Sequence, residues 1–198
     1  MRDTRGFTII ELVLVLVLIA ILSATVAPML FRGTATIGTG AFARKVRDDI
    51  RYAQSLAMSR TNLPTPNVTN PGFRYRIRFN VPDPNCAFTS QYNIVNDADN
   101  NGVWGENPDA LGIIESARNP ASGAAYFCVQ TDSGDLAGFT ATADFGGSTP
   151  GILEFDDFGV PYNSDGAKLT APKTVLVSKG AETVTLTVNP YTGWVGMQ

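Results

Sequence analysis

From Phe7 to Phe31 the sequence places twenty apolar residues in twenty-five positions, and a single charge, Glu11, interrupts them. As a helix this run would measure about 37 Å, enough to cross a hydrocarbon core of about 30 Å with some tilt. A cleavable secretion signal carries a shorter apolar region, about 7–15 residues, before its small-residue cleavage site. Ser23-Ala24-Thr25 is small enough to suit such a site, but the run is too long. A plain membrane anchor accounts for everything except Glu11. A carboxylate this deep in an apolar helix costs on the order of 3 kcal/mol, and an anchor has no use for it. No Lys, Arg or His lies between Phe7 and Phe31. The carboxylate therefore needs backbone, water or a charge from another molecule. A free α-amino group at Phe7, four residues earlier, would serve if the chain were cut after Gly6. Arg2 and Arg5 precede the run, so the positive-inside rule places the N-terminus in the cytoplasm and the later residues on the outer side.

The string Arg5-Gly6-Phe7-Thr8-Ile9-Ile10-Glu11-Leu12 resembles the N-terminal signature of type IV prepilins and type II secretion pseudopilins, and the likeness continues to Pro28. The resemblance implies that a membrane prepilin peptidase cuts between Gly6 and Phe7 and that the new amino terminus of Phe7 is N-methylated. Glu11 would then pair with the N-terminus of a neighbouring subunit entering a filament. A paired charge is tolerated in an apolar fibre core and an unpaired one is penalised, so Glu11 would set the axial register. The implied partners are other pilin subunits in a homo- or hetero-filament, the peptidase, and the inner membrane before assembly. The implied location is a single-pass inner-membrane protein with an outer-side globular domain, and afterwards a periplasmic or extracellular filament. Residues 1–6 become a leader, 7–32 a transmembrane and filament-core helix, 33–60 a linker and amphipathic helix, and 61–198 a globular β-rich domain.

The remaining chain is polar and unevenly charged. Residues 1–60 carry eight Lys/Arg against four Asp/Glu, and residues 61–198 carry seven against fourteen. The net charge of −3 argues against a dedicated nucleic-acid binder. Histidine is absent, which removes Ser-His-Asp and Cys-His catalysis and His-based metal sites. Asp156-Asp157 and the Ser/Lys content offer no base–nucleophile spacing, so no enzyme is expected.

Pro28 deletes a backbone donor inside the apolar helix and clashes one turn back, so a kink is expected there. Gly33, Gly38 and Gly40 with Thr34, Thr36, Ile37 and Thr39 make poor helix. This stretch reads either as a linker or as a segment that melts on assembly. From Ala41 to Arg60 the helical pattern returns, with Phe42, Val46, Ile50, Ala53 and Ala57 on one stripe. The wording from Ala43 to Ala57 resembles the corresponding helix of the GspH/FimT branch of minor pilins and pseudopilins. Ile152–Asp156 with Gly159-Val160-Pro161, and Val184–Val188 with Thr192-Gly193, resemble its strands. The resemblance implies an α+β pilin fold: a long N-terminal helix, transmembrane then amphipathic, packed on an antiparallel β-sheet. It also implies a structural subunit of the minor kind, with the major pilin that forms the filament's bulk as the alternative.

Strands are expected at Phe73–Phe79, Tyr92–Val95, Gly112–Glu115, Ala125–Gln130, Ile152–Phe155, Thr174–Ser178 and Thr183–Val188. Ser178–Ala181 reads as the turn of a terminal hairpin. Arg74, Arg76 and Arg78 share one face of their strand. A phosphate-binding stripe would fit a DNA-uptake or adhesive tip pilin. The acidic surroundings and a tail, Tyr191–Gln198, without Lys or Arg argue against DNA. A solvated face, or pairing with Asp48, Asp156 or Asp157, accounts for the arginines better.

Cys86 and Cys128 are the only cysteines. An outer-side location permits a disulfide, worth about 4 kcal/mol in the chain-entropy model for a loop of about 43 residues; two unrelated thiols are the alternative. Within that loop, Asp97-Ala98-Asp99-Asn100-Asn101-Gly102 repeats the front half of a calcium loop. Asp97, Asp99 and Asn101 would offer side chains and Val103 its carbonyl. Pro108 stands where the bidentate Glu belongs, so Glu106 or Asp109 would have to replace it. An Asx-rich turn without an ion is the alternative. No cofactor is required; the one expected is a structural calcium.

Overall fold

A computed structural model of the chain describes residues 9–33, 38–59, 74–86, 92–99, 101–109 and 112–198, with the backbone alone for residues 23–33. The described residues fall into two units, Met1–Thr36 and Ile37–Gln198. The first holds one helix, α1 (Ile9–Gly33), in which Glu11 lies in the first turn. The helix runs on through Pro28 and ends at Gly33.

The second unit begins with α2 (Thr39–Ser59). Its sequence is amphipathic, and the stripe Phe42, Val46, Ile50, Ala53, Ala57 is fully buried, joined by Ala43. The backbone N–H groups of Ala41 and Phe42 donate to Gly38 O, which starts the helix two residues earlier than the sequence pattern suggests. The Thr39 hydroxyl donates to Glu182 of a later hairpin at 2.8 Å, tying the first turn of α2 to the sheet.

The helix packs on two antiparallel sheets rather than the single one expected. The first has the order β3-β2-β1-β5-β6 and comprises β1 (Tyr75–Phe79), β2 (Tyr92–Asn96), β3 (Cys128–Val129), β5 (Ile152–Phe155) and β6 (Pro161–Tyr162). The second has the order β4-β7-β8-β9 and comprises β4 (Phe139–Asp144), β7 (Lys173–Lys179), β8 (Glu182–Val188) and β9 (Val195–Met197). Aromatic contacts knit the core. Phe42 of α2 meets Phe139 of β4 with ring centroids 4.7 Å apart, and Phe79 of β1 meets Tyr92 of β2 at 5.3 Å. Each such fully buried aromatic contributes roughly 1.5–3 kcal/mol of transfer free energy.

Two expectations change, and β4 is a strand that was not expected. Gly112–Glu115 is not a strand: it is extended loop in which Ile113 and Ile114 stay exposed, and only Ser116 bridges to Val95. The hairpin at Lys179–Glu182 is real but not terminal, because β9 adds to β8 with Val195 opposite Val188. The strand β4 carries Thr-Ala-Thr-Ala, small residues that give a weak β signal on their own; its place is fixed by pairing along β7 from Phe139↔Lys179 to Asp144↔Thr174.

Candidate functional site

On α1 the large apolar residues from Ile9 to Leu22 are each 43–84% exposed, on every side of the helix. A helix apolar all round has no solvated face of its own and reaches a low free energy only when other apolar material surrounds it. Glu11 is exposed among them. Gly6 and Phe7 lie outside the described residues. Among the described residues no helix is long and apolar enough to cross a membrane.

The second chemical cluster hangs on the first sheet. Arg74 and Arg76 lie on the outward face of β1 and its approach, as the alternation predicts, but their partner is none of the three acids named above. It is Glu154 of β5, nearly fully buried, which sits opposite Arg76 in the β1–β5 register. Glu154 accepts from Arg74 Nη1 at 2.5 Å and from Arg76 Nε at 2.6 Å. Arg78 donates to Asp83 at 2.5 Å and to Asn93 Oδ1 at 2.9 Å. Each of the first two guanidiniums also covers an aromatic ring: Arg76 lies 3.7 Å from the centroid of Trp104, and Arg74 lies 4.5 Å from that of Tyr162. The stripe is therefore a ladder of ion pairs and cation–π contacts that fastens the Trp104 loop to the outside of the sheet.

That loop is closed by the Cys86–Cys128 disulfide, with Cα atoms 5.8 Å apart. Inside it, carboxylate oxygens of Asp97, Asp99 and Glu115 lie within 4.8 Å of one another. Asp97 accepts the backbone N–H groups of Asn101 at 3.0 Å and Gly102 at 2.9 Å. Asn101 Oδ1 takes Val103 N–H at 2.6 Å. Gly102 turns the chain at φ +87°, a left-handed conformation that favours glycine. Glu115 is fully buried and accepts N–H groups from Ala98, Asp99 and Glu106. Burial pushes both Asp97 and Glu115 above the usual carboxylate range; the N–H donors pull the other way, and the neighbouring Asp99 and Asp97 charges respectively add to the rise.

The geometry thus brings together two of the expected ligands, Asp97 and Asp99, and replaces the twelfth-position acid with Glu115. Asp109 is not in the cluster: its Oδ1 accepts Ile113 N–H at 2.6 Å and closes a local turn. Asn101 Nδ2 donates to Asp99 and Glu106, so Asn101 and Glu106 brace the loop. Glu115 escapes a spacing search because it lies beyond the twelve-residue window. Its one sequence signal is an acid embedded between Ile113-Ile114 and Ala117. Three hard oxygen donors in a pocket this small fit a divalent cation such as calcium.

A third polar feature ties helix to sheet. Tyr92 OH donates to Asp49 at 2.6 Å, and Lys45 reaches the same carboxylate at 2.7 Å from one turn earlier. Burial raises the Asp49 pKa above the ordinary carboxylate range, with Lys45 opposing.

Two kinds of observation bear on what such a chain is. A family model described as the prokaryotic N-terminal methylation motif matches residues 1–27. No curated protein and no solved structure matches the chain significantly. The motif, on a chain whose helix packs on antiparallel sheets in the manner of the α+β pilin fold, supports a type IV pilin-like subunit processed by a prepilin peptidase. It is shared by type IV pilins and secretion pseudopilins, and neither a minor nor a major role follows from it.

Proposed function

We propose that this chain is a minor filament subunit of a type IV pilus or type II secretion pseudopilus. The observation that carries the reading is α1: a helix exposed and apolar on every side, with one carboxylate in its first turn, directly inside the matched methylation motif. In this reading the peptidase removes residues 1–6, and Phe7 becomes the methylated N-terminus. The helix crosses the inner membrane and holds the globular domain on the outer side. Assembly transfers the same apolar surface from lipid to the fibre core, where Glu11 meets the N-terminus of a neighbouring subunit. Pro28 and Gly33 mark where the helix bends or gives way. The likeness of α2 and the late strands to the GspH/FimT branch favours a minor subunit.

Intact-mass measurement of filament-derived protein tests the processing: the mature chain starts at Phe7 and carries one added methyl group. A mass retaining Met1 sinks the reading. Imaging of purified filaments separates a minor subunit from a major pilin, because only the latter is the repeating unit.

The structural calcium belongs to the same proposal, with Asp97, Asp99 and Glu115 as its protein ligands and loop stiffening as its role. Addition of calcium raises the melting temperature of the full chain, and a chelator reverses the rise. An unchanged melting temperature dismisses the ion.

A further inference from the structure

Of the two tryptophans, Trp104 lies under Arg76, and Trp194 is 60% exposed. The turn that presents Trp194 is braced from several directions. Asn189 N–H donates to Trp194 O at 2.8 Å and Gly193 N–H to Asn189 O at 3.0 Å. Asn189 Oδ1 accepts the N–H groups of Tyr191 and Thr192, and Trp194 N–H donates to the Thr192 hydroxyl. Gln54 of α2 donates to Thr192 O at 2.7 Å, which fixes the turn to the helix. The indole lies flat along its own strand: a Cβ added to Gly196 would come within 2.6 Å of the ring. Glycine at 196 is what lets the ring settle there.

Beside the ring is a concavity of about 330 Å³, lined by Pro172, Thr187, Asn189, Trp194, Gly196, Met197 and Gln198. That volume is at the lower end for small-molecule sites. The lining contains no charged side chain. Arg51, which is not part of the lining, lies 5.8 Å from the ring centroid and already donates to Val195 O. Four polar groups of the lining make no hydrogen bond among the described residues: the Asn189 NH2, the Thr187 hydroxyl, the Gln198 amide and the Trp194 indole N–H. An anionic or cationic ligand finds no countercharge here, and a purely apolar ligand would bury those groups unsatisfied. A sugar ring satisfies both requirements: its C–H face stacks on an indole, and its vicinal hydroxyls pair with amides and hydroxyls.

We propose that this pocket binds a neutral carbohydrate, with Trp194 as the stacking surface and Asn189, Thr187 and Gln198 as the groups that read its hydroxyls. Every residue of the lining comes from the stretch 172–198. The turn is pre-set by hydrogen bonds that do not involve the ligand, so little ordering cost falls on binding.

The test uses the full chain in a non-glycosidic detergent, with Trp104→Phe leaving Trp194 as the sole indole. Maltohexaose, cellohexaose, mannohexaose and N-acetylated chitohexaose are titrated against Trp194 fluorescence. At least one is expected to give a saturable blue shift with a Kd of about 1 mM or tighter. Gly196→Ala, which lifts the ring without deleting it, and Gln198→Ala are each expected to weaken binding, the first by tenfold or more, with an unchanged circular dichroism spectrum. Calorimetry on Trp194→Ala should show binding lost. Silence of all four sugars overturns the proposal, and so does wild-type affinity in Trp194→Ala. A shift produced by an apolar peptide with the sugars silent likewise overturns it, and assigns the surface to protein contact.

Discussion

The helices α1 and α2 have 25 and 21 residues, and their side chains meet opposite fates. Every large apolar residue described on α1 is exposed, while α2 buries Phe42, Val46, Ile50, Ala53 and Ala57 against the sheets of its own chain. The charges follow suit. On α2 the cations lie off the buried stripe, and Lys45 is paired with Asp49 one turn on. On α1 one carboxylate stands in a field of Leu, Val and Ile. A helix whose burial is completed within the chain contributes to folding. A helix whose burial is left open contributes to whatever encloses it, which in the proposed function is lipid first and other helices later. The same segment can therefore be indispensable to assembly and irrelevant to the stability of the domain.

That contrast can be broken most directly at Glu11. Glu11→Ala is expected to leave membrane insertion intact and to reduce filament formation tenfold or more, read from sheared-filament yield against total membrane protein. Normal filaments would remove the register role. The next largest effect concerns the domain alone. Replacing Cys86 and Cys128 with serine is expected to destabilise it by about 4 kcal/mol, measured by denaturant unfolding, while α1 helicity is unaffected.

A paired substitution then tests the comparison itself. Ile50→Ala on α2 is expected to cost about 2–5 kcal/mol, and Leu16→Ala on α1 should leave the unfolding midpoint of the domain unchanged. Equal effects would mean that α1 supports the fold after all.

The smallest effect is a pH slope. Asp49, Asp97 and Glu115 are held above their ordinary pKa values, so the folded state binds their protons more tightly than the unfolded chain does. Their contribution is complete below about pH 4 and is lost as the pH rises through the folded pKa of each. Asp49→Asn should therefore gain stability relative to the parent chain as pH increases from 4 to 7, read from denaturant midpoints across that range. Calcium is expected to oppose the share of the slope that belongs to Asp97 and Glu115.

Much of this was legible from residues alone. The resemblance of Arg5–Leu12 to the prepilin signature agrees with the methylation motif matched at residues 1–27, and the apolar run by itself says only that Glu11 needs a partner. The stripe on α2 and six of the strands follow from periodicity. The Cys86–Cys128 bond was expected and is present. Features that depend on register were not legible. Glu154 faces Arg76 because β5 pairs with β1 in one alignment, and nothing in Ile-Leu-Glu-Phe announces that neighbour. Glu115 enters the carboxylate cluster because a loop folds back, beyond the reach of a motif with fixed spacing. The outer strand β4 escapes periodicity because its small residues gain their place only by lying beside β7.

The sheet edges settle one further matter. In the first sheet both outer strands, β3 and β6, have two residues. In the second, β9 has three, and Arg51 already occupies the Val195 carbonyl. On β4, the longest outer strand, the Asn80 amide donates to the Ala141 carbonyl at 3.2 Å. Among the described residues the outer strands thus offer another chain backbone that is short or partly occupied. In the proposed filament such domains can be crowded on a membrane without zippering through these strands, and polymerisation is left to α1, whose apolar surface lipid holds until it is called for.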